Sequence, residues 1–523
     1  MSHKTILQPG KNCLTISKVE ETGLLIDGRN YFRAFYWAAQ AAERYILLSG
    51  WQFDSYFHLL RGEDAKAAAG ETRFLPFLNS LCDNNPDLRI FMLAWDFSMI
   101  YGLDREWFQE LYFNWTTNER LQFCFDRCSS FDASHHQKYV VIDGKFAFVG
   151  GLDLCAARWD ERDHRVQNPY RVESGDTPYR SFHDVQSYHA GPFAAKLAEL
   201  FKARWKVARC EDLELPATGE AARPAIEPNV TLQAKEVAIS RTQTEASCSE
   251  KSVYEIRALF ADAIAAAERL IYIENQYFSS EALFDALAAR MKAAERPKLE
   301  IVLMIAKDAE AFLEQLSIGI MQSRLIGRLR EIARDTGHHL GIYYPASRAA
   351  SGEELETYIH SKLLLVDDRF LSVGSANMNN RSLGYDTELN VAWEGKDGDD
   401  LSTSIRDARI NLLAEHTGFG IEACQNLAMP GLVRNLNRLA DSGASRLRHH
   451  PQRSVADEYG WLTSIFPDGL PFDPRGPITN EIPSDTTPGA EGSFFTRGIT
   501  ELKNWLLGEP GSGGQTVAPP EQK

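Results

Sequence analysis

Two short segments of the chain carry a histidine and a lysine separated by one residue. The first, HHQKYVVID, contains His136 and Lys138, and the second, HSKLLLVD, contains His360 and Lys362. Both run into aliphatic and β-branched residues, which predicts strands, and residues two apart in a strand project from the same face. An imidazole beside an ammonium suits phosphoryl chemistry, because the histidine can attack or protonate while the lysine holds phosphate oxygens.

An aspartate follows each histidine by seven positions, at Asp143 and Asp367. Without a bulge, that spacing places it on the opposite face of the strand from the histidine. Strand parity therefore predicts a structural role for the aspartates, such as pairing with a basic group or a backbone donor. The chemical role falls to the histidine–lysine pairs.

The histidine–lysine segments do not suit a metal ion. A cation bound next to Lys138 would be repelled by its ammonium group. Elsewhere, neither clustered carboxylates nor a Cys/His spacing typical of metal sites suggests a ligand set. We therefore expect no metal and no cofactor.

The two segments belong to an internal repeat. The letters AAER at 41–44, followed by YILL, recur at 266–269, followed by LIYI, an offset of 225, and the histidine motifs are offset by 224. In each copy an amphipathic helical pattern leads into a buried strand. The order strand, helix, strand, helix, strand, strand predicts an α/β fold with a mixed sheet in each copy, packed as pseudo-symmetric halves.

Composition separates the chain into four parts. The segment EDLELPATGEAARPAIEPN is rich in Pro, Glu and Ala without periodicity, which predicts a surface linker. The C-terminal part becomes dense in Pro, Gly, Asp and Thr, which predicts a partly irregular extension. The expected boundaries are 10–210 for the first half, 211–235 for the linker, 236–415 for the second half and 416–523 for the extension.

The overall composition is that of a globular protein with a sizeable core. Hydrophobic residues are 44% and charged residues 24% of 523, which excludes a disordered chain or a small binding module. The net charge of −16 disfavours a protein that binds polyanions nonspecifically. Eight cysteines without a framework spacing predict reduced thiols. We find neither a signal peptide nor an apolar run of about 18 residues that would span a membrane.

The motifs resemble those of the phospholipase D superfamily, whose signature HxKx4D, followed after six residues by GSxN, is present twice. The second copy matches fully through Gly374, Ser375 and Asn377. The first copy has Gly151 and Asp153 where Ser and Asn are expected. An anion at Asp153 is not expected to contact phosphate unless it is protonated or turned away. The stretches GGLDL, RWD and IYIENQYF resemble eukaryotic-type phospholipases D and related bacterial enzymes.

The resemblance extends over residues 10–412 and implies two α/β/α sandwich halves whose motifs meet at one site. It implies a double displacement, in which one histidine becomes a phosphohistidine and the other protonates the leaving alcohol and then activates water or an alcohol. By family analogy His136 is the nucleophile and His360 the general acid/base, although the residues themselves do not distinguish the two. The implied catalytic residues are His136, Lys138, Asp143, His360, Lys362 and Asp367; the implied phosphate-binding residues are Lys138, Lys362, Ser375 and Asn377.

The repeat also supplies candidate carboxylates to orient the histidines. Aligning Gly191 with Gly395 places Asp184 opposite Glu388, each early in a strand after the motif. A nucleophilic imidazole needs an acceptor on its second nitrogen, which fixes the tautomer. We predict that Asp184 and Glu388 fill this role; the alternative is a surface carboxylate at a strand end. His183, next to Asp184, is predicted to line the cleft.

The function that the resemblance implies is a phospholipase D that hydrolyses and transphosphatidylates glycerophospholipids. The alternatives are a cardiolipin or other phosphatidyl-transfer synthase, a nuclease, and a membrane-binding scaffold with a decayed site. Scattered Lys and Arg disfavour the nuclease, and intact His, Lys and Asp in both copies disfavour the scaffold. We expect a monomer that contacts a phospholipid membrane surface and no nucleic acid. It would be cytoplasmic or peripheral to the membrane, or exported without a cleavable signal.

Overall fold

A computed structural model describes residues 5–95, 113–114, 116–126, 133–173, 177–219, 224, 226–308, 312–427 and 429–452. Within these ranges the chain forms two mixed β-sheets with helices packed on them, which confirms the α/β class predicted from the repeat. Among the helices described, none combines the length and apolar character needed to cross a bilayer.

Ten strands lie in the first part of the chain: β1 (Thr15–Lys18), β2 (Glu21–Ile26), β3 (Tyr45–Gly50), β4 (Arg89–Trp95), β5 (Leu121–Asp126), β6 (Tyr139–Ile142), β7 (Phe146–Gly150), β8 (Ser181–His183), β9 (Val185–Ala190) and β10 (Val230–Thr231). Eight of them form the first sheet, in the order β10-β2-β9-β7-β6-β3-β4-β5. Strands β3, β4 and β5 are parallel, and the pairs from β3 across to β2 are antiparallel.

Ten further strands follow: β11 (Glu236–Gln243), β12 (Val253–Tyr254), β13 (Leu270–Asn275), β14 (Glu300–Ile305), β15 (His339–Arg348), β16 (Glu354–Ile359), β17 (Leu363–Val366), β18 (Phe370–Gly374), β19 (Glu388–Glu394) and β20 (Leu447–His449). The second sheet runs β1-β11-β19-β18-β17-β13-β14-β15-β16-β8, with β12 on β11 and β20 on β15. Its parallel strands β13, β14 and β15 and its antiparallel run from β17 to β11 repeat the pattern of the first sheet.

Helices cover the sheets and supply most of the remaining core. The helices are α1 (Asp27–Gln40), α2 (Gly62–Ala67), α3 (Phe74–Asn84), α4 (Pro192–Arg209), α5 (Glu255–Ala266), α6 (Glu281–Lys292), α7 (Phe312–Thr336), α8 (Asn380–Gly384), α9 (Asp400–Thr417), α10 (Ile421–Gln425) and α11 (Leu432–Ser442), with a 3₁₀ turn at Glu245–Ser247. The side chain of Asp399 accepts from the Ser402 amide and caps α9, and Gly418 ends it with a positive φ of 74°.

One hydrophobic core runs from the first sheet and its helices into the facing side of the second sheet. There the ring of His189 on β9 stacks on Trp393 of β19, with centroids 5.7 Å apart. A second core fills the space between the second sheet and helices α5 to α7. The central strands are buried on both faces and are therefore apolar runs rather than alternating patterns.

Two short strands of the first half pair with strands of the second, and a third short strand joins the linker to the first sheet. Strand β1 pairs with β11 in the second sheet, β10 pairs with β2 in the first, and β8 pairs with β16. The predicted domain boundaries stay a prediction, but these pairings show that strands are exchanged across them. The last of the three matters for function, because β8 ends next to Asp184 and β16 ends next to His360.

The C-terminal extension and the cysteines differ in part from what the sequence predicted. The start of the predicted extension is regular, since α10, α11 and β20 lie there, whereas most of it falls outside the described residues. The prediction of reduced thiols throughout is wrong, because Cys248 is disulfide-bonded. The other described cysteines form no disulfide: Cys13, Cys82, Cys124, Cys155, Cys210 and Cys424.

Candidate active site

Both histidine–lysine motifs lie where the two halves meet, just outside regular strands. Segment 136–138 precedes β6, and segment 360–362 joins β16 to β17. The prediction that these residues lie within strands is therefore wrong. The backbone N–H of the first motif's histidine donates to Thr387 O at 3.0 Å, and that of the second donates to His183 O at 2.8 Å. Each motif thus bonds to the other half before it enters its own sheet.

The imidazole of His136 is held by Glu388. Its Nδ1–H donates to both carboxylate oxygens, at 2.9 Å to Oε1 and 3.0 Å to Oε2. Burial raises the pKa of Glu388 well above its ordinary value, and burial together with the charge of Lys138 lowers the pKa of His136. The lowered pKa of His136 favours a neutral imidazole. When Glu388 is ionised it only accepts hydrogen bonds, which places the imidazole proton on Nδ1 and leaves the Nε2 lone pair available for attack.

The imidazole of His360 is held in the same way by Asp184. Its Nδ1–H donates to Oδ2 at 2.6 Å, while Oδ1 accepts from the Val185 amide at 2.7 Å. Burial raises the pKa of Asp184 to about 6, against the opposing charge of Lys362. Burial, with the charges of Lys362 and Arg158, lowers the pKa of His360 well below 6.5. A neutral histidine oriented by a carboxyl group is able to exchange a proton with an alcohol or water.

The two histidine–carboxylate pairs cross between the halves of the chain. His136 and Glu388 are 252 positions apart, and His360 and Asp184 are 176 apart. The alignment of Asp184 with Glu388 correctly related the two carboxylates, but it did not indicate which histidine each one contacts. Both motif histidines are oriented by a carboxylate of the opposite half, so the site requires both halves.

The two motif lysines are buried and differently paired. Lys138 Nζ donates to Asp153 Oδ2 at 2.5 Å, so Asp153 is directed toward the lysine. Lys362 Nζ donates to the carbonyl of His360 and, at 3.4 Å, to Gln276 Oε1. Burial lowers the pKa of Lys362 to about 7. Both ammonium groups lie beside the histidines and can bind the oxygens of a phosphodiester.

Gly151 and Ser375, at matching positions of the two copies, are adapted to the carboxylate next to them. A Cβ at Gly151 would lie 2.5 Å from Asp184 Oδ1, so a serine there would collide with the carboxylate. In the second copy, the Ser375 hydroxyl donates to Glu388 Oε2. Ser375 is therefore occupied in holding Glu388, which conflicts with the predicted direct contact to phosphate. The first copy therefore has glycine where the family signature has serine because Asp184 leaves no room for a side chain.

Asn377, the remaining predicted phosphate ligand, is 7% exposed, and its Oδ1 has no hydrogen-bond partner among the described residues. Gln276 was missed by the sequence analysis. It belongs to the IYIENQYF stretch that carried the resemblance, and its amide joins Lys362 to the hydroxyl group of Tyr358 at 2.7 Å.

The motif aspartates do not reach the histidines. Asp143 lies at the far end of β6 and accepts the backbone amides of Glu43, Arg44 and Tyr45, each at 2.8 Å. Asp367 binds the three residues at the start of β13 in the same way. Their place among the implied catalytic residues is therefore corrected. They hold the backbone at the start of β3 and β13, the structural role that strand parity predicted.

A buried group of titratable side chains lies directly behind His360 and was not predicted. Asp27, His164, His183 and Glu415 bring one ligand-type atom each within 4.8 Å of the others, and Glu274 joins through His183. The expectation that the chain clusters no metal-type ligands is thus wrong, as is the placement of His183 on the cleft wall, since it is 0% exposed. No sequence spacing links these residues.

Comparison with known proteins agrees with the fold and with the superfamily that the motifs resemble. The family model described as "Phospholipase D" matches residues 105–321, and the one described as "Cardiolipin synthase, PLD-like domain" matches residues 260–407. Phospholipase D1 of Saccharomyces cerevisiae is 26% identical over 494 residues, covering 76% of this chain and 29% of the relative. Phospholipase D alpha 1 of Ricinus communis is 23% identical, covering 76% of this chain and 65% of the relative.

Solved structures also resemble the chain. Phosphatidylserine synthase of Haemophilus influenzae Rd KW20 aligns over 81% of this chain and 94% of its own, at 13% identity and a TM-score of 0.47. Nuc of Salmonella typhimurium, a phospholipase D family member, aligns over 33% of this chain and 91% of its own, at 19% identity and a TM-score of 0.22.

A two-sheet α/β fold with one site built from two HxK motifs defines a phosphodiesterase-type architecture. The chain belongs to the phospholipase D superfamily. It spans about a third to two thirds of the length of the relatives it matches, 29%, 65% and 35% for the first three.

Proposed function

We propose that this chain is a phospholipase D that transfers the phosphatidyl group of a glycerophospholipid to water or to an alcohol. The observation that carries the proposal is the pair of crossed hydrogen bonds, His136 to Glu388 and His360 to Asp184. Two imidazoles, each held through Nδ1, suit a neutral nucleophile and a separate acid/base group that starts the reaction protonated on Nε2, acting on one phosphodiester.

The steps follow from the positions of these groups. His136 Nε2 attacks phosphorus and the bond to the head-group oxygen breaks. His360 carries a proton on Nε2 as well as on Nδ1 at this step, and it gives the Nε2 proton to the leaving alcohol and becomes neutral. His360 then removes a proton from water or an alcohol, whose oxygen displaces His136 and releases phosphatidic acid or a phosphatidyl-alcohol. Lys138 and Lys362 offset the charge that builds on the phosphate oxygens.

The proposal includes contact with a phospholipid surface by a protein that does not bind nucleic acid. The net charge of −16 supports lipid rather than polyanion as the substrate source. Among the predicted locations, the disulfide at Cys248 supports the exported form, because disulfides persist in oxidising compartments.

Product analysis tests the proposal. The protein is incubated with vesicles of several glycerophospholipids and, separately, with single-stranded DNA, and products are identified by mass spectrometry. We expect phosphatidic acid from vesicles, diverted in part to phosphatidylethanol when ethanol is added, and no product with His136→Asn. Cleaved DNA with intact lipid would move the assignment to a nuclease. Phosphatidyl transfer without detectable hydrolysis would favour a phosphatidyl-transfer synthase, whose acceptor alcohol excludes water.

A further inference from the structure

The buried group behind His360 is a carboxylate–histidine cluster made of Asp27, His164, His183, Glu274 and Glu415. Each member is no more than 1% exposed, except Glu415 at 4%. Its members come from α1, β8, β13, α9 and the loop after β7, so both halves of the chain contribute. Burying this many ionisable groups is costly unless each charge is balanced and hydrogen-bonded.

The ring of His183 is enclosed by carboxylates on both sides. Its Nδ1 lies 3.0 Å from Asp27 Oδ1 and contacts Glu415 Oε1, while its Nε2 lies 2.9 Å from Glu274 Oε2. Ionised carboxylates only accept hydrogen bonds, so both ring nitrogens must donate. That requirement makes His183 an imidazolium. Burial opposes the charge, but Glu415 and Glu274 outweigh it and raise the pKa of His183 well above 6.5.

The same atoms could be considered as metal ligands, but their spacing favours protons. Donor atoms around a tetrahedral zinc ion lie roughly 3.4 Å apart, given zinc–ligand distances of about 2.1 Å. The His183 Nδ1 contacts to Asp27 and Glu415 are at or below 3.0 Å, which is hydrogen-bond spacing. Two imidazolium rings, His183 and His164, carry the positive charge that a divalent ion would otherwise supply.

The cluster is bonded directly to the acid/base pair of the site. The His183 carbonyl accepts from the His360 amide at 2.8 Å, and the Asp27 amide donates to the Asp184 carbonyl at 2.9 Å. On the other side, Ser361 Oγ donates to Glu274 Oε2 at 2.9 Å, the same oxygen that His183 contacts. The residues next to Asp184 and His360 are therefore tied to one buried charge network.

We propose that His183 is a positioning residue: held as an imidazolium between carboxylates of both halves, it keeps Asp184 in contact with His360. This inference rests on the proposed function for the role of His360. The short pairing of β8 with β16 covers only three residue pairs, which is too little to fix its register alone. The side chain of His183, at the end of that pairing, supplies the missing constraint.

Leaving-group dependence tests the inference. Nitrophenolate leaves a phosphodiester without needing a proton, whereas the alcohol of a phospholipid head group needs the proton that His360 supplies. We expect His183→Asn to lower phospholipid turnover about 10²-fold or more and to lower the rate of the nitrophenolate burst, which reports the first step alone, only a few-fold. Asp184→Asn should show the same pattern, and the double variant should be about as impaired as Asp184→Asn alone, because both act through His360.

The matched control is His338→Asn. His338 is a buried histidine of the second half whose ring bonds only to backbone, accepting from the Leu299 amide at 2.9 Å and donating to the Met291 carbonyl at 3.1 Å. Its loss should lower stability and leave the ratio of phospholipid turnover to nitrophenolate burst rate unchanged. Equal loss of both activities in His183→Asn, or additive effects in the double variant, would show a structural role and overturn the inference.

A second measurement does not depend on activity. In protein carrying ¹⁵N-labelled histidine, assigned with the His183→Asn variant, both ring nitrogens of His183 should carry hydrogen from about pH 6 to about pH 8. A singly protonated ring, or one equivalent of metal in protein purified without chelators, would refute the assignment of His183 as an imidazolium. A wild-type protein inactive on both esters would refute the proposed function, and the nitrogen spectrum would still decide the state of the cluster.

Discussion

His360 donates a hydrogen bond of 2.6 Å from Nδ1 to the carboxylate of Asp184, a residue of the other half of the chain. His136 does the same toward Glu388 in the opposite direction. Because each histidine is oriented by the half that does not contain it, the two roles depend on how the halves pack. The two carboxylates can therefore be tested separately, one for each histidine.

Removing either carboxylate should reproduce the loss of the histidine it orients. An amide in place of the carboxylate weakens the preference for the Nδ1–H tautomer, so Asp184→Asn and Glu388→Gln should each lower phospholipid turnover by about 10²- to 10⁴-fold. Only Asp184→Asn should be rescued by a nitrophenol leaving group. Rescue of Glu388→Gln instead would exchange the roles of the two histidines.

Lys362 should control the alkaline side of the pH profile. Burial lowers its pKa to about 7, so its positive charge in the free enzyme is lost as the pH rises through that value. We expect kcat/KM for a soluble phosphodiester to fall above about pH 7 and the alkaline limb to move upward in Lys362→Arg, because arginine stays charged. Inhibition by inorganic phosphate should weaken over the same pH range, because it depends on the same positive charge. An unchanged limb in the arginine variant would assign it to another group.

His164 should make stability depend on pH. Burial opposes its charge, but Asp27 and Asp160 outweigh burial and raise the pKa to about 10. A pKa that is higher in the folded state gives a contribution that is complete below about pH 6.5 and is lost as pH rises toward about 10. We therefore expect the free energy of unfolding of wild type relative to His164→Gln to fall by about 1–3 kcal/mol between about pH 6 and about pH 9, measured by urea unfolding.

The control for that series is His338→Gln. Burial lowers the pKa of His338, so its contribution is present above the unfolded-state value and is lost as the pH falls. The difference between wild type and this variant should have the opposite slope. Parallel slopes for the two variants would remove the cluster as the source of the pH dependence.

Asp143 should matter for stability more than for chemistry. Replacing it with alanine leaves three backbone amides at the start of β3 without their acceptor, which should cost about 3 kcal/mol or more. Its φ of 52° adds a cost for alanine, which asparagine tolerates better. Asp143→Asn should therefore unfold at a higher urea concentration than Asp143→Ala. Fully folded variants without activity would instead indicate a direct catalytic role.

Local patterns predicted the layout of the fold well. The repeated AAER segments precede β3 and β13, which begin at Tyr45 and Leu270 and preserve the offset of 225. Buried parallel strands and amphipathic helices produce hydrophobic patterns among neighbouring residues, so a single sequence is enough to locate them. The histidine–lysine pairs were recognisable for the same reason, since their spacing is short and occurs twice.

Features that depend on packing between the halves were not predictable. The alignment related Asp184 to Glu388 but contained no information on which sheet each side chain faces. Likewise, Asp27, His183 and Glu274 share no spacing, and they meet where the two halves pack against each other. The strand predicted for each HxK motif begins only after the motif lysine, because the backbone N–H of each motif histidine bonds to the opposite half of the chain.

Covalent trapping tests the central claim, a phosphohistidine formed on His136. His360→Asn is mixed with a labelled phosphodiester bearing a nitrophenol leaving group and quenched in alkali, which preserves phosphohistidine. Label should accumulate on His136, because the acid is not needed and the base for release is missing. His136→Asn should acquire none. Label on His360, with a burst retained in His136→Asn, would reverse the assignment, and no label on either histidine would replace double displacement with direct attack by water.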